Sequence, residues 1–190
     1  MTIDLKKDLP ELYRPSASDF SEVVVPPMRY LSVAGEGDPN TSPSYPAALE
    51  TLYPAGYAVR RAFRERTGEA FVVGPLEGLW WAEDPRDFVT RRKDAWRWRM
   101  LLPLPAEVRE EDWSGVDVAV EFIDEGRCLQ IMHVGPYDAE GPTLARLHDE
   151  VMPARGLTFN GPHHEIYLSD ARRTAPEKLR TVLRQPVREL

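Results

Sequence analysis

Gly161-Pro162-His163-His164-Glu165-Ile166-Tyr167-Leu168-Ser169-Asp170 opens on a Gly-Pro turn signal and closes on a polar Ser-Asp run. The residues between read as a short strand. Successive strand side chains point to opposite faces, so His163, Glu165 and Tyr167 share one face, and His164, Ile166 and Leu168 the other. Ile166 and Leu168 suit a packed core. The opposite face then carries an imidazole, a carboxylate and a phenol in one row. Open to water, it is an ordinary solvated face. Lining an apolar cleft, it is a site for a cation or for acid–base chemistry.

Working outward, the same half of the chain supplies more strands. Val118–Ile123 and Arg127–Val134 read as strands joined at Asp124-Glu125-Gly126. Gly135-Pro136-Tyr137-Asp138 is a loop, and Thr143–Met152 is helical with Leu144, Leu147, His148 and Val151 on one stripe. The chain closes on a strand around Leu179–Val187. The first half follows the same plan. Glu22–Val25 and Met28–Ala34 are strand runs separated by Pro26-Pro27, followed by the loop Gly35–Asn40. A long helix begins at Ser44, with Ala48, Leu52, Ala55, Val59, Ala62 and Phe63 at helical spacing and Gly68 as its stop. Pro54 is expected to kink or divide it. Phe71–Val73, Leu76–Ala82 and Ala95–Leu104 read as strands, the last with Trp96, Trp98, Met100 and Leu102 on one face.

Each half therefore reads strand–strand–helix–strand–strand, an α+β architecture built by duplication. The expected organisation is an irregular N-terminal arm over residues 1–18, anchored by Leu9, Leu12 and Tyr13, then one domain over 19–190. Its halves fall at about 19–104 and 118–190. Two units are too few for a solenoid, so the reading is a pair of modules framing one ligand cleft.

Composition narrows the function classes. With 42% hydrophobic and 29% charged residues in a chain of 190, there is enough apolar surface for a core. A net charge of −7 argues against nucleic acid as partner, and the basic runs Arg91-Arg92-Lys93 and Arg172-Arg173 have acidic neighbours. No run is long enough to span a membrane, and the N-terminus lacks the apolar core of a signal peptide. Cys128 is the only cysteine, which excludes an internal disulfide and fits a reducing cytoplasm. It lies in an apolar strand run and reads as an inert core thiol. There is no His-Glu-x-x-His, no cysteine pair and no phosphate loop, so neither a metal nor another cofactor is expected.

Several segments carry a resemblance: Gly35-Glu36-Gly37-Asp38-Pro39-Asn40-Thr41-Ser42, Pro75-Leu76-Glu77-Gly78-Leu79-Trp80-Trp81-Ala82, Gln130-Ile131-Met132-His133-Val134-Gly135-Pro136-Tyr137, the His163–Asp170 strand, and Arg172-Arg173-Thr174-Ala175-Pro176-Glu177-Lys178-Leu179-Arg180-Thr181-Val182. Together they resemble the stand-alone GyrI-like small-molecule-binding proteins over essentially the whole chain. The resemblance implies a duplicated α+β module with a central cleft that takes bulky, often cationic aromatic compounds. It also implies that a stand-alone branch hydrolyses the cyclopropane of DNA-alkylating antibiotics of the duocarmycin and yatakemycin type, a detoxifying or resistance activity. The family's acidic cleft residue falls on Glu165. Two departures from its pattern are Ala171, where a proline is expected, and a short 105–117 connection that bears on ligand size. No DNA-binding helical domain precedes the module, so the regulator role of other relatives is not carried over.

The candidate residues each have a plainer reading beside the functional one. Glu165 is the main candidate, as general base or as counter-ion to a ligand cation; both uses fit. Tyr167 is a donor to a developing oxyanion, an orienter of water, or a half-buried tyrosine with its hydroxyl at the rim. His163 lines the ligand site or sits at the surface. Trp80 and Trp81 are neighbours on opposite strand faces; one is read as a stacking wall, with core as the alternative for both. Tyr137 flanks the second loop, as does His133, the latter as a half-buried histidine. Tyr53 and Tyr57, one helical turn apart, cap the cleft or contact the core. Glu77 is a turn residue or a second acid. Three functions fit: binding and hydrolysis of aromatic electrophiles, non-catalytic sequestration or sensing of cationic drugs, or binding of a protein partner as an antidote factor.

Overall fold

A computed structural model describes residues 2–83 and 92–190. Arg91 of the first basic run lies outside the described residues. The strands are β1 (Thr2–Ile3), β2 (Ser21–Val25), β3 (Met28–Glu36), β4 (Ala70–Phe71), β5 (Leu76–Ala82), β6 (Trp96–Leu104), β7 (Ala119–Ile123), β8 (Gly126–Val134), β9 (Leu157–Phe159), β10 (His163–Tyr167) and β11 (Arg180–Glu189). Helix α1 is Ser44–Thr67. Helix α2 runs from Gly141–Arg146 through a π-turn, Leu147–Val151, to Met152–Ala154. The architecture is α+β. Among the described residues no helix is long and apolar enough to cross a membrane.

The chain forms two compact units: Met1–Asp8 with Pro27–Ile123, and Leu9–Pro26 with Asp124–Leu190. In the first, the antiparallel strand order is β5-β6-β3-β7. The registers Leu31↔Leu102, Val33↔Met100 and Gly35↔Trp98 put these side chains on one face, where α1 packs. The buried stripe of α1 is Ala48, Leu52, Ala55, Gly56, Val59 and Phe63, which is the expected helical period except that Gly56 joins it and Ala62 is only half-buried. Gly56 lets the helix approach closely, since a Cβ there would sit 2.9 Å from Leu102 Cδ1. Gly68 ends the helix in the left-handed conformation, its N–H donating to the Arg64 carbonyl.

Pro54 neither divides α1 nor ends it: the helix is continuous through it. Pro54 and Glu50, whose carbonyl loses its donor, are both exposed, so water can satisfy that carbonyl. The buried stripe on either side keeps both segments docked.

In the second unit the order is β2-β8-β11-β10, with β9 pairing the far end of β11. Phe20, Leu129, Ile131, Leu183 and Val187 meet Leu147 and Met152 of α2 and Leu157 in one core. The reverse face carries Gln130, Arg184, His164 and Ile166, all buried. The Leu9–Pro26 segment belongs here: Arg184 donates to the Leu12 carbonyl at 2.7 Å, Gln130 to that of Glu11 at 2.6 Å, and the Met132 N–H to that of Ser16 at 2.8 Å.

The first eighteen residues are thus more ordered than an irregular arm. They include a strand paired in parallel with β4 and helical turns at Leu5–Asp8 and Pro10–Tyr13. Leu12 and Tyr13 are buried anchors, whereas Leu9 is half-buried.

The strand orders repeat. After its helix each unit places β6 or β11 in the middle, next to β3 or β8, with β5 or β10 outside. The contiguous halves drawn from sequence differ from these units by one exchanged strand each. Ser21–Val25 pairs with β8, and Ala119–Ile123 pairs with β3.

Candidate functional site

Strand β10 has the alternation expected of it, but both its faces are covered. Ile166 and His164 point to the face that carries Arg184. His163, Glu165 and Tyr167 share the face of Leu183 and Ile131, the side on which α2 packs. His163 is therefore buried, not at the surface. Glu165 keeps only 14% of its side chain exposed. The Tyr167 hydroxyl donates to Glu165 Oε2 at 2.7 Å, and His163 Nε2 lies 3.4 Å from Oε1. The carboxylate is thus held by a hydrogen bond from one strand neighbour two residues away and has the imidazole of the other within ion-pair distance.

Around this row lie further polar groups of the same unit. Register places Tyr167 beside Thr181 and Thr181 beside His133. The ring of Tyr137, in the short turn Tyr137–Ala139, meets Tyr167 edge-on with centroids 5.7 Å apart. His133 Nε2 is 3.1 Å from the Pro136 carbonyl, which pins the loop; the histidine is satisfied as expected, but buried, not half-buried. His148 sits in the π-turn of α2, edge-on to Phe159. Burial and then the neighbouring His163 push its imidazole down to about 4, so it is neutral at neutral pH. Helical periodicity put His148 on the inward stripe with Leu144, Leu147 and Val151, but it gave no sign of the π-turn.

The remaining aromatic candidates lie in the other unit. Trp80 is buried, stacked on Tyr45 at 6.3 Å and edge-on to Trp96 at 5.9 Å. Trp81 is half-buried on the opposite strand face, with the Arg99 guanidinium 5.9 Å from its ring. Tyr53 is half-buried and Tyr57 is 59% exposed, so Tyr57 is not a core contact. Glu77 is not a turn residue: it lies within β5, paired with Leu101, and is 1% exposed.

On the far side of β10 lies a charge cluster that the sequence did not announce. His164 Nδ1 is 2.9 Å from Glu125 Oε1, and Arg184 Nη1 is 3.3 Å from Oε2. Arg184 Nε also donates to Gln130 Oε1 at 3.2 Å. Burial works to raise the Glu125 carboxyl, but His164 and Arg184 outweigh it and hold it at about 2. Read from sequence, Glu125 was part of a turn, and nothing local marks it as the partner of residues 39 and 59 positions away. Cys128 is buried nearby; burial and then Glu125 push its thiol up to about 12, the signature of an unreactive cysteine. Among the described residues no group of three or more His, Cys, Asp or Glu could hold a metal ion.

The duplication gives these faces a common frame. Two residues before the positive-φ glycines Gly37 and Gly135, the cross-strand rows read Gly35–Trp98–Trp80 in one unit and His133–Thr181–Tyr167 in the other. One row is filled by indole rings and the other is polar.

The chain is similar to solved structures over nearly its full length. An uncharacterized conserved protein from Listeria innocua is 37% identical, with TM-score 0.87, covering 98% of this chain and 100% of that one. A hydrolase from the same organism is 35% identical, with TM-score 0.85, covering 99% and 100%. The EcmrR C-terminal domain shares the fold at 14% identity, with TM-score 0.60 and coverage of 90% and 98%. No curated protein matches the sequence. The GyrI-like small molecule binding domain matches residues 18–188, and with that span this chain belongs to the GyrI-like family.

Proposed function

We propose that this protein binds flat aromatic small molecules and hydrolyses electrophilic ones, with Glu165 as the base. The observation that carries the reading is the Glu165 carboxylate, largely withdrawn from water, hydrogen-bonded by Tyr167 and with His163 Nε2 3.4 Å away. A carboxylate so placed is oriented for one partner instead of being averaged by solvent. The substrate class is an aromatic compound bearing a cyclopropane conjugated to a carbonyl. Glu165 takes a proton from water as the water oxygen bonds to a ring carbon. The strained carbon–carbon bond breaks, and its electron pair passes to the carbonyl oxygen, which becomes a phenolate and then takes up a proton. Water is thereby added across the bond, with no oxidant or metal. Tyr167, donating to Glu165, holds the base in position. The 35% identity to a hydrolase over the full chain supports the reaction class.

A second reading is favoured by the phenol rings of Tyr137 and Tyr167 beside the carboxylate: a non-catalytic site for an aromatic cation, with Glu165 as counter-ion. Glu165→Gln separates the two. For a base, single-turnover hydrolysis of a neutral cyclopropane alkylator, followed as a water adduct by mass spectrometry, falls about 10²-fold or more while neutral-ligand binding holds. For a counter-ion, cation affinity falls and any slow turnover is untouched. Unaltered turnover in the folded variant rules out Glu165 as the base.

A further inference from the structure

If Glu165 is the base, the reaction also needs a donor for the oxygen that gains charge. Tyr167 shares the face, but its hydroxyl proton is committed to Glu165 Oε2. The neighbouring hydroxyl is Thr181. It lies on β11 directly across from Tyr167 and directly across from His133 on the other side. The residue is fully buried, and its Oγ1 has no hydrogen-bond partner among the described residues. An unmet buried hydroxyl is destabilising, so such groups are rare in folded proteins unless something binds them.

The duplicated unit sharpens the contrast. The equivalent position there is Trp98, whose ring fills the space so completely that a Cβ on Gly35 would lie 2.1 Å from it. In the second unit that position holds a small side chain with a hydroxyl. Beside it, the Tyr137 ring is 37% exposed on a three-residue turn and covers Tyr167 edge-on.

We infer that Thr181 is a ligand-contacting residue whose hydroxyl donates to the carbonyl or phenolic oxygen of a flat aromatic ligand. The inference rests on the reading of the Glu165 face as the ligand site, and it names the group that selects oxygenated ligands there.

The test uses 9-fluorenone and fluorene, two flat neutral aromatics that differ by one carbonyl oxygen, with the full chain. The unaltered protein is expected to bind fluorenone about fivefold to tenfold more tightly, the scale of one neutral hydrogen bond. Thr181→Ser keeps that preference. Thr181→Val abolishes it, leaves fluorene affinity unchanged, and keeps or raises the melting temperature because an unmet hydroxyl is gone. Thr181→Ala serves in its place if the valine variant does not fold. Equal affinity for both probes in the unaltered chain, or a preference that survives removal of the hydroxyl, overturns the role of Thr181 alone. Binding of neither probe overturns it together with the aromatic-ligand reading. Neither probe has a cyclopropane, so these outcomes are independent of whether Glu165 is a base.

Discussion

At the scale of single residues, the chain uses the two faces of one short strand for opposite purposes. His164 is tied into a buried ion cluster, while Glu165 next to it accepts a hydrogen bond from a phenol on the opposite face. Breaking a buried ion cluster from one side leaves the remaining charge uncompensated. Glu125→Gln should therefore cost about 3–5 kcal/mol of stability, measured by urea unfolding at neutral pH. The pH dependence follows from the depressed carboxyl. Folded Glu125 takes up its proton only near 2, against 4.5 for an unperturbed glutamate. Its contribution is whole above about pH 4.5 and is lost as the pH falls toward 2. The stability gap between the parent chain and Glu125→Gln should accordingly narrow across that interval. A gap that is constant with pH would mean that Glu125 is not ionised in the fold.

At the scale of elements, packing overruled local signals in two places. The helix Ser44–Thr67 runs through Pro54 because its buried stripe is docked on both sides of the proline. Strand β3 carries Gly35 one residue before its end, although glycine weakens a strand on intrinsic grounds, because the neighbouring Trp98 ring occupies the space where a side chain would go. Gly35→Ala should destabilise the fold by about 1–3 kcal/mol or more through overpacking, although Ala is the better residue for chain entropy. Thermal unfolding of the single variant checks this. A Gly35→Ala protein as stable as the parent would show that Trp98 has room to move. Periodicity was enough to find α1, its stop at Gly68 and the strands β6, β8 and β10. It was not enough to find the π-turn at Leu147–Val151, since local sequence carries no distinct signal for that conformation.

At the scale of the whole molecule, the chain is interleaved. It passes from the first unit to the second after Asp8, back at Pro27, and out again after Ile123. A contiguous half is therefore incomplete. Residues 118–190 alone lack β2 and the Leu9–Pro26 segment, which supplies the carbonyls that Arg184 and Gln130 bond. Expressed alone, that fragment should unfold without a cooperative transition, because buried donors and the β8 edge are left unmet. A cooperative, native-like transition by circular dichroism would contradict this account.

The α+β class, the duplicated plan and the alternation of His163, Glu165 and Tyr167 were legible in the sequence, because strand and helix periods are local properties of apolar spacing. It also brought Glu165 forward as the candidate acid. The tertiary structure decided which strand joins which unit, that His163 is buried, that Tyr167 donates to Glu165, and that Thr181 sits unmet beside it. Those facts depend on register between strands far apart in the chain. Glu125, His164 and Arg184 make the point most directly. Each looks ordinary in its own segment, and only pairing across 39 and 59 positions turns them into one buried cluster.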